Sequence, residues 1–244
     1  DMITGSTQSD LFIWRSGDGE DALVGGDGND TVEFVDRQNA DAAWTLTALT
    51  ADSAQLEDGT HATSFAGVEF VRLMTADGSD RVTIDGVDGA SEIRWIHVAL
   101  GDGDDTLTAA TSAVPIEAFG GAGADDLIGG AGHDRLFGQA GDDLIDGGGG
   151  NDELGGGEGC DVYLLGAGSG ADRIVDESQT NALSFANSTS AVSIALPNIG
   201  AATPETAFAA GPGAFFGEGE GPAEDAAAPK WQTYTLGGDR VWLD

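Results

Sequence analysis

Five aspartates recur at a spacing of nine: Asp125, Asp134, Asp143, Asp152 and Asp161. Each is sixth in a nonapeptide, and the nonapeptides run without a gap from 120 to 164: GGAGADDLI, GGAGHDRLF, GQAGDDLID, GGGGNDELG and GGEGCDVYL. Carboxylates at this interval, each behind a glycine-rich turn, suit a hard divalent cation. Calcium takes six to eight oxygens, and main-chain carbonyls together with carboxylates supply them. General acid–base work is the competing use of paired carboxylates. So many in loops of one kind make an acid–base pair indistinguishable from metal ligands.

The elements that must position these aspartates are legible in the same nine residues. Adjacent glycines accept φ > 0 without a Cβ penalty and let the backbone turn sharply, aiming carbonyls inward. The eighth positions are Leu127, Leu136, Ile145, Leu154 and Tyr163, so an apolar side chain follows every turn two residues after the aspartate. The last three residues of each repeat predict a very short strand with its central side chain inside. A flexible glycine linker would not keep Asp and Leu in register over five copies.

This pattern resembles the repeats-in-toxin (RTX) family, the haemolysin-type calcium-binding nonapeptide proteins that bacteria secrete. The resemblance implies an all-β fold, a right-handed parallel β-roll or solenoid in which two nonapeptides make one turn. It also implies several calcium ions, each held between loop n and loop n+2 on one edge or the other. One edge would stack Asp125, Asp143 and Asp161, and the other Asp134, Asp152 and Asp172. Carried over residue by residue, the metal candidates are Gly121 and Gly123, Gly130 and Gly132, Gly141, Gly148 and Gly150, and Gly157 and Gly159. Gly168 and Gly170 join them with Asp172, from the looser copy AGSGADRIV at 167–175. Gln139 occupies a second position that elsewhere holds glycine, which marks a weak point in that loop. The stretch 161–176 resembles the family's usual close of a repeat block.

Further copies, two of them adjacent and good and the rest decayed or isolated, extend the pattern towards the N-terminus. SGDGEDALV at 16–24 carries Gly17, Gly19 and Asp21, and GGDGNDTVE at 25–33 carries Gly26, Gly28 and Asp30. TADGSDRVT at 75–83 offers Asp80, and LGDGDDTLT at 100–108 offers Gly101, Gly103 and Asp105. A decayed copy at 5–12 keeps Asp10. The organisation expected is N-terminal repeats over 1–33, wider solenoid coils with isolated calcium loops over 34–119, a core roll over 120–176 and a small C-terminal β cap over 177–244. Segments such as WTLTAL at 44–49, GVEFVRLM at 67–74 and EIRWIHVAL at 92–100 read as strands of those wider coils, with a small antiparallel insertion as the alternative. Trp44, Phe65, Phe70 and Trp95 are read as core. Residues 199–230, rich in Gly, Ala, Pro and Glu, read as a loop or tether, and 231–244 as a hairpin turning at Gly237-Gly238.

Charge and composition limit the partners. Asp and Glu number 43 against nine Lys and Arg, a net charge of −34 in 244 residues. Phosphate-backbone binding rests on Lys and Arg, so nucleic acid is excluded as a partner. An anionic membrane surface would repel the chain, and no apolar run of about 18 residues offers a spanning helix. Self-repulsion of this size opposes a compact state unless cations neutralise it. The chain opens on Asp1 without a signal-peptide pattern and reads as a fragment or processed piece. One cysteine, Cys160, rules out an internal disulfide and a cysteine-rich zinc site. His61, His97 and His133 read as surface or structural histidines, and no H-E-x-x-H, G-x-S-x-G or Walker pattern is present.

The expected function is a secreted module that folds on calcium outside the cell, at the bacterial surface, as a structural or adhesive component. The alternative is the non-catalytic C-terminal region of a type I-secreted lipase, protease or epimerase. Partners expected besides calcium are further copies of the chain or a cell-surface polysaccharide, and no catalytic residue is assigned.

Overall fold

The computed structural model describes residues 1–88, 91–166, 168–176 and 181–184, together with the strands 191–193, 207–209, 232–236 and 239–243. Every regular element among the described residues is a strand. Glycine turns too tight for a helix and three-residue x-U-x segments leave the chain one regular option, which is to step back and forth between two sheets.

The first sheet has eleven strands. In spatial order they are Met2–Thr4, Ala22–Val24, Ala62–Ala66, Ser53–Glu57, Ala43–Thr50, Arg81–Asp85, Thr106–Thr108, Asp126–Ile128, Leu144–Asp146, Val162–Leu164 and Ala182–Ser184. The facing sheet has eight: Leu11–Arg15, Thr31–Val35, Phe70–Met74, Trp95–Asp102, Ile116–Ala122, Arg135–Ala140, Glu153–Glu158 and Arg173–Ile174. Neighbouring strands from successive coils are parallel, with Leu107 beside Leu127, Leu127 beside Ile145, and Ile145 beside Tyr163. Corresponding hydrogen-bonded residues lie 18 apart in the uninterrupted repeats. The interval grows to 20 or 25 where the repeats are broken. This is the parallel β-roll that the nonapeptides predict.

The core is the single layer of side chains between the sheets. Leu107, Leu127, Leu136, Ile145 and Leu154 are all fully buried, each at the apolar position of its repeat. Each such side chain contributes about 1.5–3 kcal/mol by leaving water. Bulkier residues fill the core nearer the N-terminus: Trp44, Phe34 and Phe65 are buried, and Trp14 lies edge-on to Trp44 with ring centroids 5.9 Å apart.

The roll departs from simple parallel coils at one place. Ala43–Thr50, Ser53–Glu57 and Ala62–Ala66 form an antiparallel meander within the eleven-stranded sheet, and its outer strands rejoin the parallel neighbours on either side. Short turns at 51–52 and 58–61 leave no room for a crossing to the other sheet, so this part of 34–119 is an insertion and not a wider coil. Phe70 and Trp95 also depart from expectation. They pair with each other at outward positions of the eight-stranded sheet and are half-buried, while their neighbours Val71 and Ile96 enter the core. Beside them on that outer face runs a ladder of ion pairs and a histidine–carboxylate hydrogen bond. Glu33 meets Arg72 at 2.7 Å, His97 meets Glu117 at 3.2 Å, and Arg135 bridges Glu117 and Glu153 at 3.1 Å each.

Most of the expected C-terminal cap lies outside the described residues. Ala182–Ser184 extends the eleven-stranded sheet in parallel. Gln232–Leu236 pairs antiparallel with Asp239–Leu243, the hairpin expected over 231–244. Ala191–Ser193 pairs antiparallel with Ala207–Ala209, a strand within the stretch that composition marks as loop.

Candidate metal centre

Each turn between the sheets delivers its sixth-position aspartate to an edge of the roll, just before the next strand begins. On the edge that leads into the eleven-stranded sheet, the aspartates form one unbroken column. The main-chain N–H of Asp80 donates to Oδ1 of Asp105 at 2.7 Å, that of Asp105 to Asp125 at 2.9 Å, that of Asp125 to Asp143 at 2.8 Å, and that of Asp143 to Asp161 at 3.0 Å. The column ends on a neutral side chain, Asn181, whose Oδ1 accepts the Asp161 N–H at 2.9 Å.

The opposite edge carries two shorter columns. Asp134 donates to Asp152 at 2.9 Å and Asp152 to Asp172 at 3.1 Å. Nearer the N-terminus, Asp10 donates to Asp30 at 2.8 Å and Asp30 to Oε2 of Glu69 at 2.7 Å. Between them the edge is closed by main chain alone, Arg94 N–H to the Glu69 carbonyl and Ile96 N–H to the Pro115 carbonyl.

One oxygen of each carboxylate is thus consumed by the stack, which leaves the other. Among the described residues, ten buried side-chain polar atoms have no hydrogen-bond partner, and seven of them are the Oδ2 atoms of Asp30, Asp80, Asp105, Asp125, Asp143, Asp152 and Asp161. A buried, unpartnered carboxylate oxygen is costly unless a cation meets it. Burial, aided by neighbouring carboxylates, pushes Asp125 and Asp152 up to about 7 and Asp105, Asp143 and Asp161 to about 6. Burial raises Asp80, Asp134 and Asp172 as well. The donor set fits a hard cation on these grounds. Among the described residues no three His, Cys, Asp or Glu side chains converge on one point, so a cage here must draw main-chain carbonyls into its shell.

The glycines supply that main chain. Gly141 has φ 136°, and a Cβ there would lie 1.8 Å from the Gly123 carbonyl oxygen one coil away. Gly17, Gly19, Gly26, Gly28, Gly101, Gly103, Gly121, Gly123, Gly148, Gly150, Gly157, Gly159, Gly168 and Gly170 also have positive φ. Gln139 shares that conformation at φ 83°, the one non-glycine among the described residues to do so. Gly130 and Gly132 do not. The turn one coil before them, 109–115, is not a nonapeptide, and Gly130 N–H instead donates to Asp134 Oδ2 at 2.8 Å. Asp134 therefore has both oxygens occupied by backbone, unlike the seven. Asp21 is half-buried and lies outside the columns of buried carboxylates.

Three contributors escape the motif as read. The first-position glycines hold the free oxygen in place: a Cβ on Gly120, Gly138 or Gly156 would come within 2.1 Å of Oδ2 of Asp125, Asp143 or Asp161. Their invariance across the five tandem repeats is the signal that pointed to them. Asn181 is preceded by no glycine turn, yet Asn181-Ala182-Leu183 repeats the Asp-x-apolar order. Glu69 has no local signal at all.

His97 is a structural residue, its Nδ1 3.2 Å from Glu117. His133 Nδ1 accepts the Asn151 N–H at 2.9 Å, and Cys160 is exposed.

The family model for the RTX calcium-binding nonapeptide repeat matches four copies in this chain, over residues 15–33 and 119–154. The chain carries RTX repeats, and their matched portion is a calcium-binding module type rather than a catalytic one. The comparison with curated proteins returns no match. Asp80, Asp105 and Asp161 lie outside the matched residues and share the column geometry of those inside. No described helix is long and apolar enough to cross a membrane.

Proposed function

We propose that this chain is a non-catalytic module of a secreted protein that folds on calcium outside the cell and serves as a structural or adhesive component of the bacterial surface. The observation that carries this reading is the set of seven buried Oδ2 atoms without protein partners, stacked along two edges of one roll. In this reading those oxygens bind calcium together with carbonyls of the positive-φ glycines in the same and the adjacent loop. Bound calcium neutralises the column charge, and Oδ1 of each aspartate keeps the next coil in register.

Coupling to folding follows from the thin core. The seam is one residue deep, so apolar burial alone offsets little of the ordering entropy of a chain with 40 glycines. Each ion that binds only the folded form adds stability, and ions sharing one column make the transition cooperative. A roll of this kind is a rigid rod with repeated outer faces, which suits a surface layer or an adhesin, and the sequence offers no nucleophile–base pair.

Far-UV circular dichroism of chelator-treated chain during calcium titration tests the reading. A cooperative gain of β signal is expected at about 10⁻⁴–10⁻³ M, the range of extracellular calcium modules. Magnesium should not replace calcium, because it demands tight octahedral geometry and keeps its waters. A β-rich spectrum in chelator that calcium leaves unmoved would sink the proposal.

A further inference from the structure

The N-terminal column of the second edge ends at a residue that no repeat contains. We propose that Glu69, with Asp30 Oδ2 and the Gly67 carbonyl, holds a calcium ion against the 25–30 loop, at a three-residue closing turn that is not a nonapeptide. This rests on the calcium reading above and adds a site that the repeats do not mark.

Asp30 is fully buried, and its Oδ2 has no partner. Its Oδ1 accepts the Asp10 N–H, as in every other column. A second nonapeptide loop is expected one coil further on, and the chain supplies only Gly67-Val68-Glu69 between the Ala62–Ala66 and Phe70–Met74 strands. That turn still brings a carbonyl up to the 25–30 loop. The hypothetical Cβ of Gly25 lies 1.8 Å from the Gly67 carbonyl oxygen and 2.5 Å from Asp30 Oδ2, so both oxygens crowd one spot. The same pairing occurs within the repeats at an unpartnered oxygen, where the hypothetical Cβ of Gly120 lies 2.8 Å from the Gly138 carbonyl oxygen and 2.1 Å from Asp125 Oδ2.

Glu69 takes the place of the missing aspartate. Its Oε2 accepts the Asp30 N–H at 2.7 Å, and the Asp30 carbonyl accepts the N–H groups of Glu69 and Phe70 at 3.2 and 3.0 Å. The side chain is one methylene longer than aspartate, which lets a turn three residues shorter than the six-residue loop reach the same position. Glu69 is 7% exposed, so its charge is withdrawn from water along with that of Asp30. Accepting an N–H does not require that charge, since Asn181 closes the other column with a neutral amide. Two buried carboxylates and a carbonyl converging beside a glycine turn match the charge and hardness of one calcium ion.

Native mass spectrometry of the full chain in millimolar calcium counts the ions. Glu69→Gln keeps an oxygen for the Asp30 N–H and removes the charge, and it is expected to bind one ion fewer than wild type with an unchanged far-UV spectrum. Glu57→Gln, on an exposed strand end, should keep the wild-type count. A Glu69→Gln chain that binds as many ions as wild type overturns this proposal and leaves the calcium reading standing. A wild-type chain that binds none overturns both. Should Glu69→Gln not fold in calcium, Glu69→Asp carries the test, since withdrawing the carboxylate by one methylene should lose the same ion. A wild-type count in that variant overturns the proposal.

Discussion

The N–H of Asp125 donates to Oδ1 of Asp143 across one full coil at 2.8 Å, while Oδ2 of the same Asp143 carboxylate meets no protein donor. One side chain thus divides its two oxygens between holding the coils in register and facing a cation. Folding and metal binding share the same atoms, and this coupling sets what each substitution should do.

Asp143 sits in the middle of the long column, with a stacked aspartate on either side. Asp143→Asn keeps an acceptor for the Asp125 N–H and removes the charge. It should raise the calcium midpoint severalfold and flatten the transition. Asp10→Asn should do less, because both Asp10 Oδ2 contacts are to Ser6, at the end of a short column. Calcium titration by circular dichroism reads both, and equal effects would refute the shared-column arrangement.

The raised carboxyls set a pH dependence for metal-free chain. Burial lifts Asp125 and Asp152 to about 7 and Asp105, Asp143 and Asp161 to about 6, against 3.8 in the open chain. Between those values the folded state binds more protons than the unfolded one, so stability falls as pH rises. The stabilisation is complete below about pH 4 and lost above about pH 7. Far-UV circular dichroism in chelator should therefore show more β signal at about pH 4.5 than at about pH 7.5. In calcium, protons compete for the same oxygens, and the apparent affinity should drop on acidification. A β signal in chelator that grows with pH would contradict this.

Gln139 takes a conformation that elsewhere in the roll belongs to glycine. Left-handed backbone costs a non-glycine residue roughly 1–2 kcal/mol, and glycine's extra freedom in the unfolded chain returns roughly 0.5–1 kcal/mol of that. Gln139→Gly should therefore stabilise the calcium-loaded roll by up to about 1.5 kcal/mol. Denaturant midpoints in saturating calcium measure it, and a clear loss of stability would show that the Gln139 side chain contributes more than its backbone strain removes.

Gly138 and Gly149 give a matched pair of Gly→Ala substitutions. A Cβ on Gly138 would lie 1.9 Å from Asp143 Oδ2, whereas on Gly149 the nearest atom is 3.4 Å away. Gly138→Ala should displace the carboxylate and weaken calcium binding at that loop. Gly149→Ala should leave the titration close to wild type. Isothermal titration of the two variants decides, and indistinguishable curves would remove the cradle from the account.

Whatever repeats within nine residues is legible in the sequence alone. A glycine turn, an aspartate and an apolar residue two positions later are local features, and they prescribed the short strands, the seam of Leu and Ile and the chemistry of the edges. Even the strain at Gln139 was readable, because the conformation of a turn depends on its own residues. The tertiary structure decided what depends on the neighbouring coil. Gly130 and Gly132 match the motif, yet lack positive φ because the turn beneath them is no nonapeptide. Glu69 matches nothing, yet completes a column from 39 residues away. The order of the meander at 43–66, and the outward placement of Phe70 and Trp95, likewise depend on which strands become neighbours. The cause is the hydrogen bond between coils: each aspartate is bound by the N–H of another coil, so its partner is set by how the chain stacks and not by its own repeat.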